Sequence, residues 1–399
     1  MMEILRKQFL RHVGQTSPSP MLVEVERAEG VYFYTPEGKQ YFDLVAGVAV
    51  SNVGHCNPAV VRAVQEQAAK YMHVMVYGEL VETPQVEYAR KVAELLPDPL
   101  ESVYFVSSGA EAVEGAIKLA KRYTHRRNII SMRRAYHGST MGAMTLMGSP
   151  EGEEWKSAFR PLMPCVSAIE FNDFEQLNHI DENTACVISE VVQGEGGVRL
   201  PQSGYLEALR KRCTEVGALL VFDEIQTGMG RSGNMFASVK YGITPDIVCL
   251  AKAFGGGMPL GAFVSSAKIM GTLQHNPVLG HITTFGGHPV SCAAGLAALD
   301  FLVDNSVVAS VESKGLRYEQ AMLTHPRVKE VRRSGLLMAV ELGKSEYLYR
   351  LMEIFKEEGI MSDWFLFCDT AFRISPPLTI TSEEVEKSIE LIIKSLDRL

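Results

Sequence analysis

An acid and an amine stand at the ends of two short apolar runs: Asp223 follows residues 218–222 and Lys252 follows 247–251. Both runs are mostly branched or large aliphatic, too short for a helix, and bounded by Gly and Pro. They predict fully buried strands of a parallel α/β sheet. Ligands of such sheets sit just beyond the carboxyl ends of the strands. An acid and an amine delivered there by neighbouring strands suit one chemistry above others. The lysine forms an imine with a carbonyl cofactor while the carboxylate keeps that cofactor's ring nitrogen protonated. Taken singly, a Lys after an apolar run starts a helix and an Asp there caps one. The flanks separate the two readings. GGG at 255–257 allows close backbone approach, and Gly228, Gly230 and Gly233 make the loop after Asp223 permissive.

Other segments carry their own chemistry. SSGAEAVEGAIKLAKR, from Ser107, follows a strand-like run and opens a helix whose amino end suits a phosphate; Gly109 and Ala110 leave room for its approach. Ser108-x-x-Glu111 also reads as a capping box, and the two readings coexist. The segment is not GxGxxG, so a dinucleotide fingerprint is unsupported. AYHGST at 135–140 sets Tyr136 and His137 on a turn where an aromatic can stack on a flat ring, or pack on its own domain. In SEVVQGEGGVRLP, Glu190 ends a buried strand and needs a partner or a proton. Glu195, flanked by glycines, is freer to move. ITTFGGHP places Thr283 and Thr284 in a loop, where an ordinary ST-turn is the plain alternative. In AFRISPPL, Arg373 lies within an apolar strand and needs a carboxylate, from the protein or from a ligand.

The elements that position these residues alternate. Strand-like runs at 103–106, 129–131, 185–190, 218–222 and 247–250 are separated by helical patterns, which argues for βαβ units and a largely parallel sheet. Residues 1–12 read as a short amphipathic helix and 21–47 as a small antiparallel meander. After about residue 295 the order breaks into a strand candidate (GLLMAVEL), a helix at 346–358, short strands near 364–368 and 371–374, and a last helix opened by the capping box Thr381-x-x-Glu384. Both termini are expected to build one small α+β domain (1–50 and 296–399) beside a large one (51–295).

Composition bounds the rest. The 399 residues, 46% hydrophobic and 22% charged with a net charge of −8, fit a globular protein with a sizeable core and no attraction to nucleic acid or anionic membranes. Seven dispersed cysteines without a CxxC pair suggest reduced thiols, neither a disulfide framework nor a zinc site. With no signal-peptide core and no apolar run near the ~20 residues that span a bilayer, the expected setting is cytoplasmic.

In family order, DLVAGVAVSNVGHCNP, SGAEAVEGAIKLA, AYHGST, SEVVQGEGG, VFDEIQTGMGRSG, LAKAFGGGMPLGA and TTFGGHP resemble the class III aminotransferases, pyridoxal-phosphate enzymes of fold type I, over nearly the whole chain. The resemblance implies that Lys252 holds pyridoxal 5'-phosphate as an imine, Asp223 pairs with its ring nitrogen, and Ile225 and Tyr136 cover the two ring faces. Gln226 would reach the ring hydroxyl, and Ser108, Gly109 and Ala110 the phosphate, with His137 and Glu190 close by. Thr284 would serve the second subunit of a homodimer. Arg373 would grip the carboxylate of glutamate or 2-oxoglutarate, and Glu195 would pair with it when an ω-amine donor is bound. Two departures bear on the donor. Ser139 stands where relatives acting on N-acetylornithine, ornithine or 4-aminobutyrate commonly carry Arg, with Arg133 and Arg134 as candidates for that role. Val48 stands where ornithine-specific members carry Tyr. The implied reaction is ping-pong transfer of a terminal amino group from an N-acetylornithine-like donor to 2-oxoglutarate. An aminomutase on the same scaffold and a non-catalytic ligand-binding relative are the alternatives.

Overall fold

Successive residues of the buried runs face opposite layers, which is why those runs are apolar without interruption. In the computed structural model, which describes residues 2–399 and side chains from residue 4, Ile129, Ile188, Val221 and Ile247 join one core. Their neighbours Ile130, Val187, Leu220 and Phe222 join another. The first core is covered by helix Gly109–Thr124 and the second by helix Tyr205–Val216.

The chain opens with helix Met2–His12 and strands β1 (Arg27–Glu29), β2 (Tyr32–Tyr34) and β3 (Gln40–Asp43). Seven strands then make the central sheet: β4 (Ser102–Val106), β5 (Asn128–Met132), β6 (Val166–Ile169), β7 (Thr184–Glu190), β8 (Leu219–Asp223), β9 (Ile247–Leu250) and β10 (Gly261–Ser265). Their spatial order is β4-β10-β9-β8-β7-β5-β6. Only β10 runs against the rest, pairing antiparallel with both β4 and β9. The expected parallel sheet is therefore present with one reversed strand. The sequence reading passed over GAFVS because it follows β9 too closely for a βαβ crossover.

The C-terminal part adds β11 (Glu330–Ser334), β12 (Leu337–Glu341), β13 (Ile360–Met361), β14 (Trp364–Phe365) and β15 (Cys368–Ile374). Of these, β11-β12-β15-β14 form one sheet, while β13 joins β3 in parallel. That pairing ties the two ends of the chain together. The meander begins at β1, so residues 21–26 are not strand. Helix Ser382–Leu396 carries the full capping box at Thr381 and Glu384. At Ser108 the box is altered: Ser108 Oγ accepts from Glu111 N at 3.2 Å, but the Glu111 carboxylate reaches one residue further, to Ser107 N at 2.7 Å. All seven cysteines are free.

Helix Pro289–Asp304 is mostly apolar and largely buried, with a half-exposed stripe along Ala293, Leu296, Ala297 and Asp300. It packs on helices Pro58–Lys70 and Thr83–Leu95 and on the short turn Lys252–Gly255. On the other side of β9 and β10, Gly115 brings helix Gly109–Thr124 against the Phe263 ring; a Cβ there would lie 2.2 Å from it. Gly115→Ala is expected to cost about 1–3 kcal/mol in denaturant unfolding. In the Phe263→Leu background the same change is expected to cost measurably less, and equal costs in both backgrounds would contradict this contact.

Candidate active site

Parallel pairing sets the positions first. Glu190 on β7 lies opposite Asp223 on β8, and Asp223 lies opposite Cys249 on β9. β9 ends at Leu250 and Lys252 follows two residues later, so the amine and the two carboxylates leave the sheet at the same end. Lys252 has φ +55°, a left-handed conformation costly for a residue with a Cβ and typical of functional sites. These three side chains line one cavity of about 420 Å³. Ser108, Gly109, Ala110, Tyr136, His137, Ser139, Glu195, Ile225 and Gln226 line it as well.

Each wall has its own support. Asp223 Oδ1 accepts from Ile225 N at 3.0 Å, and Oδ2 lies 2.7 Å from His137 Nδ1. Burial works against charge on His137, but the Asp223 carboxylate wins and raises its pKa. Both oxygens of Asp223 are thus engaged, which fixes the carboxylate at the cavity wall. Ile225 also presses on Gly109, where a Cβ would fall 2.9 Å from Ile225 Cδ1. Only glycine lets the helix start sit this deep. The first-turn amides beside it have no partner within the helix and suit a phosphate. Burial lowers the Lys252 pKa, and the Arg373 guanidinium adds to this against the opposing pull of nearby carboxylates. A larger fraction of neutral, nucleophilic amine follows.

Glu190 has hydrogen-bond partners and a raised pKa. Its carboxylate accepts from Gly194 N at 2.9 Å and Tyr136 N at 3.3 Å, while burial raises its pKa to about 7, with Asp223 adding to the effect. Glu195 is pinned. Its Oε1 accepts from Arg373 Nη2 at 2.9 Å and Gln226 Nε2 at 3.1 Å, and its Oε2 accepts from Leu366 N at 3.2 Å. Arg373 is 2% exposed and lies behind Glu195 rather than on the cavity wall; its Nε donates to Asp363 Oδ1 at 2.7 Å. One guanidinium therefore serves two carboxylates, and removal of Glu195 would leave a slot for a third.

Besides Arg373, three candidates lie off the cavity wall. Thr284 is exposed on the loop before helix Pro289–Asp304 and does not reach this chain's own cavity. Arg133 does not take the place of an arginine at 139. It donates to both oxygens of Glu151, at 3.1 and 3.0 Å, and Arg134 Nε lies 3.4 Å from the same group. Ser139 Oγ instead meets Tyr136 OH at 3.1 Å. Asp363 escaped the sequence reading because no local pattern marks it; its role comes from lying across the hairpin from Arg373. The set fits a planar, phosphorylated carbonyl compound: an amine with lowered pKa, an acid held by a histidine, two flat-ring walls and a helix start around one cavity.

A profile of the family described as aminotransferase class-III matches residues 13–396. The acetylornithine aminotransferase of Methanopyrus kandleri is 39% identical over 390 residues, 96% of each chain. An ornithine aminotransferase structure from Toxoplasma gondii, with partial occupancy of PLP at its active site, superposes with TM-score 0.92 at 29% identity, covering 100% of this chain and 94% of that one. An acetylornithine aminotransferase from Elizabethkingia anophelis gives 0.85 at 28% identity, covering 100% and 99%. An (S)-enantioselective omega-transaminase from Thermomicrobium roseum gives 0.89 at 31%, covering 99% and 98%.

The raised pKa of Glu190 has a sign that can be checked. A carboxyl whose folded pKa is near 7 binds its proton more tightly folded than unfolded, so its stabilising contribution is complete below about 4.5 and is lost as pH rises towards 7. Glu190→Gln is therefore expected to gain about 1–3 kcal/mol relative to the parent between pH 4.5 and pH 7.5 in urea unfolding. A difference that stays flat across that range would contradict the assignment.

Proposed function

The chain belongs to the class III aminotransferases and is a pyridoxal-phosphate-dependent transaminase; from that premise we propose that it moves the terminal amino group of an N-acetylornithine-like donor to 2-oxoglutarate by a ping-pong mechanism. The observation that carries this reading is that Lys252 and Asp223 leave paired strands at the same end and line one cavity. When bound, pyridoxal 5'-phosphate supplies a carbonyl that exchanges amines and a conjugated ring that takes up the electron pair released at the donor carbon.

The chain's residues supply the rest. The amides at Gly109 and Ala110, with Ser108, hold the phosphate. Asp223, fixed by His137, keeps the ring nitrogen protonated, and Glu190 stands beside them as a second buried acid. Ile225 and Tyr136 bear on the ring faces, and Gln226 reaches its hydroxyl. Lys252 Nζ takes the proton from the amino-bearing carbon of the donor and returns it on the other side of the exchange, as an amine of lowered pKa within hydrogen-bond reach can. Arg373 remains covered by Glu195 while an ω-amine is in the cavity. When the keto acid enters, its carboxylate replaces that of Glu195, so the charge around the guanidinium is unchanged while Asp363 keeps it in place. Ser139, joined to Tyr136, faces the far end of the donor and leaves that end less tightly specified than an arginine would.

A homodimer with shared sites completes the proposal. Thr284 lies on a loop whose Val278, Ile282 and Phe285 are 70%, 50% and 56% exposed; a second copy would cover this loop and receive Thr284 at its phosphate site. Residues 51–295 act as the cofactor-binding domain and both termini as the small one. A cytoplasmic setting is consistent with the finding that no single helix among the described residues is long and apolar enough to cross a membrane.

Half-reactions read by cofactor absorbance test the donor. N-acetylornithine is expected to aminate the loaded enzyme at least about tenfold faster than ornithine, a difference of about 1.4 kcal/mol, and 2-oxoglutarate is expected to restore the starting spectrum. No spectral change with any ω-amine would contradict the reading. Arg373→Gln is expected to raise the KM for 2-oxoglutarate by about 10- to 100-fold, since a charged hydrogen bond contributes about 1.5–3 kcal/mol; an unchanged KM would remove Arg373 from substrate binding.

A further inference from the structure

Between β3 and the first long helix the backbone does something unusual for L-residues. Ala46, Gly47, Val48 and Ala49 have φ of +52°, +62°, +64° and +61°, a complete turn of left-handed backbone. Only one of the four is glycine, and a β-branched residue there is strongly disfavoured. Such a turn persists only when its surroundings over-determine it.

Asp43 holds the entry. It is 4% exposed, and its Oδ1 accepts from Val45 N at 2.9 Å and Ala46 N at 2.8 Å. Its Oδ2 lies 2.7 Å from His55 Nε2. The backbone of His55 is in turn bridged to Gly30. The exit is held by Asn52, whose Oδ1 accepts from Arg231 Nη2 at 2.6 Å and whose Nδ2 donates to Met229 O at 2.8 Å. Met229 and Arg231 belong to the loop that follows Asp223.

The turn touches the chemistry on two sides. It packs on Lys252–Gly255, the turn that carries the amine, and it ends at Val50, which lines the cavity. A left-handed turn thus lies against a lysine that is itself left-handed. Relaxation of the first would remove the wall that confines the second.

We propose that Asp43 is a positioning residue for the transamination: through its two amide bonds and His55 it holds the left-handed turn that fixes Val50 in the cavity wall and supports Lys252. This rests on the transaminase reading above, and no proton of the reaction passes through Asp43. A purely structural role would lower thermal stability without touching the properties of the loaded lysine.

The test uses the cofactor-loaded enzyme with Asp43→Ala, Asp43→Asn and His55→Ala. Two readings are taken: the midpoint of the pH titration of the lysine-bound cofactor's absorbance, and the split between KM and kcat for the amino donor. Asp43→Ala is expected to shift the midpoint by at least half a pH unit and to raise the donor KM about tenfold, more than it lowers kcat. Asp43→Asn, which keeps an oxygen for both amides, is expected to restore most of each, and His55→Ala to give smaller changes in the same direction. Midpoint and KM equal to the parent's in a folded Asp43→Ala protein would overturn the proposal, whatever its melting temperature. If that variant does not fold, His55→Ala decides: a shifted midpoint supports the role and an unshifted one overturns it. A parent enzyme that shows no lysine-bound absorbance would instead defeat the functional reading itself.

Discussion

The structure depends on keeping opposite charges at the carboxyl end of a buried parallel sheet. β7, β8 and β9 deliver Glu190, Asp223 and Lys252 to one place where water is scarce, and none of the three is stable there as an isolated ion. Each is accommodated differently. Asp223 is hydrogen-bonded to a histidine whose pKa it raises. Glu190, next to that charge, has its pKa raised towards neutrality. Lys252 has its pKa lowered. Burial and mutual proximity thus push the pKa values of Glu190 and Lys252 in opposite directions within one cavity, the kind of perturbation that clusters at functional sites.

The same economy governs the arginine. Arg373 has two carboxylate partners, buried Glu195 and half-buried Asp363, and only Glu195 lies in a loop with glycine neighbours. Asp363 accepts from Nε and Glu195 from Nη2, so the two carboxylates hold different nitrogens of one guanidinium. Gln226 bonds to both Glu195 and Arg373, which links the cavity wall to the guanidinium behind it.

Much of this was legible in the sequence because burial writes itself into residue type. The runs ending at Asp223 and Lys252 had to be strands: they are apolar on both faces, and the sheet is covered on both. Arg373 inside an apolar strand announced a carboxylate partner. What stayed hidden depends on contacts between segments far apart in the chain. Arg231 is fully buried, its pKa lowered to about 9 by that burial, and it donates to Leu336 O, Pro376 O and Asn52 Oδ1. Nothing near it in sequence reveals those three acceptors. The left-handed turn at 46–49 escaped for the opposite reason: Ala and Val are poor indicators of positive φ, and the conformation is imposed by Asp43 and Asn52 from outside. The reversed β10 was hidden because it follows β9 without the helix that marks a parallel crossover.

The central claim is that one amine, at position 252, is where the cofactor joins this chain. Borohydride reduction of the loaded enzyme followed by peptide mapping reads this directly. The account predicts one modified peptide, with the added mass on Lys252. A label on any other lysine, or none on a protein that had taken up the cofactor, would contradict it.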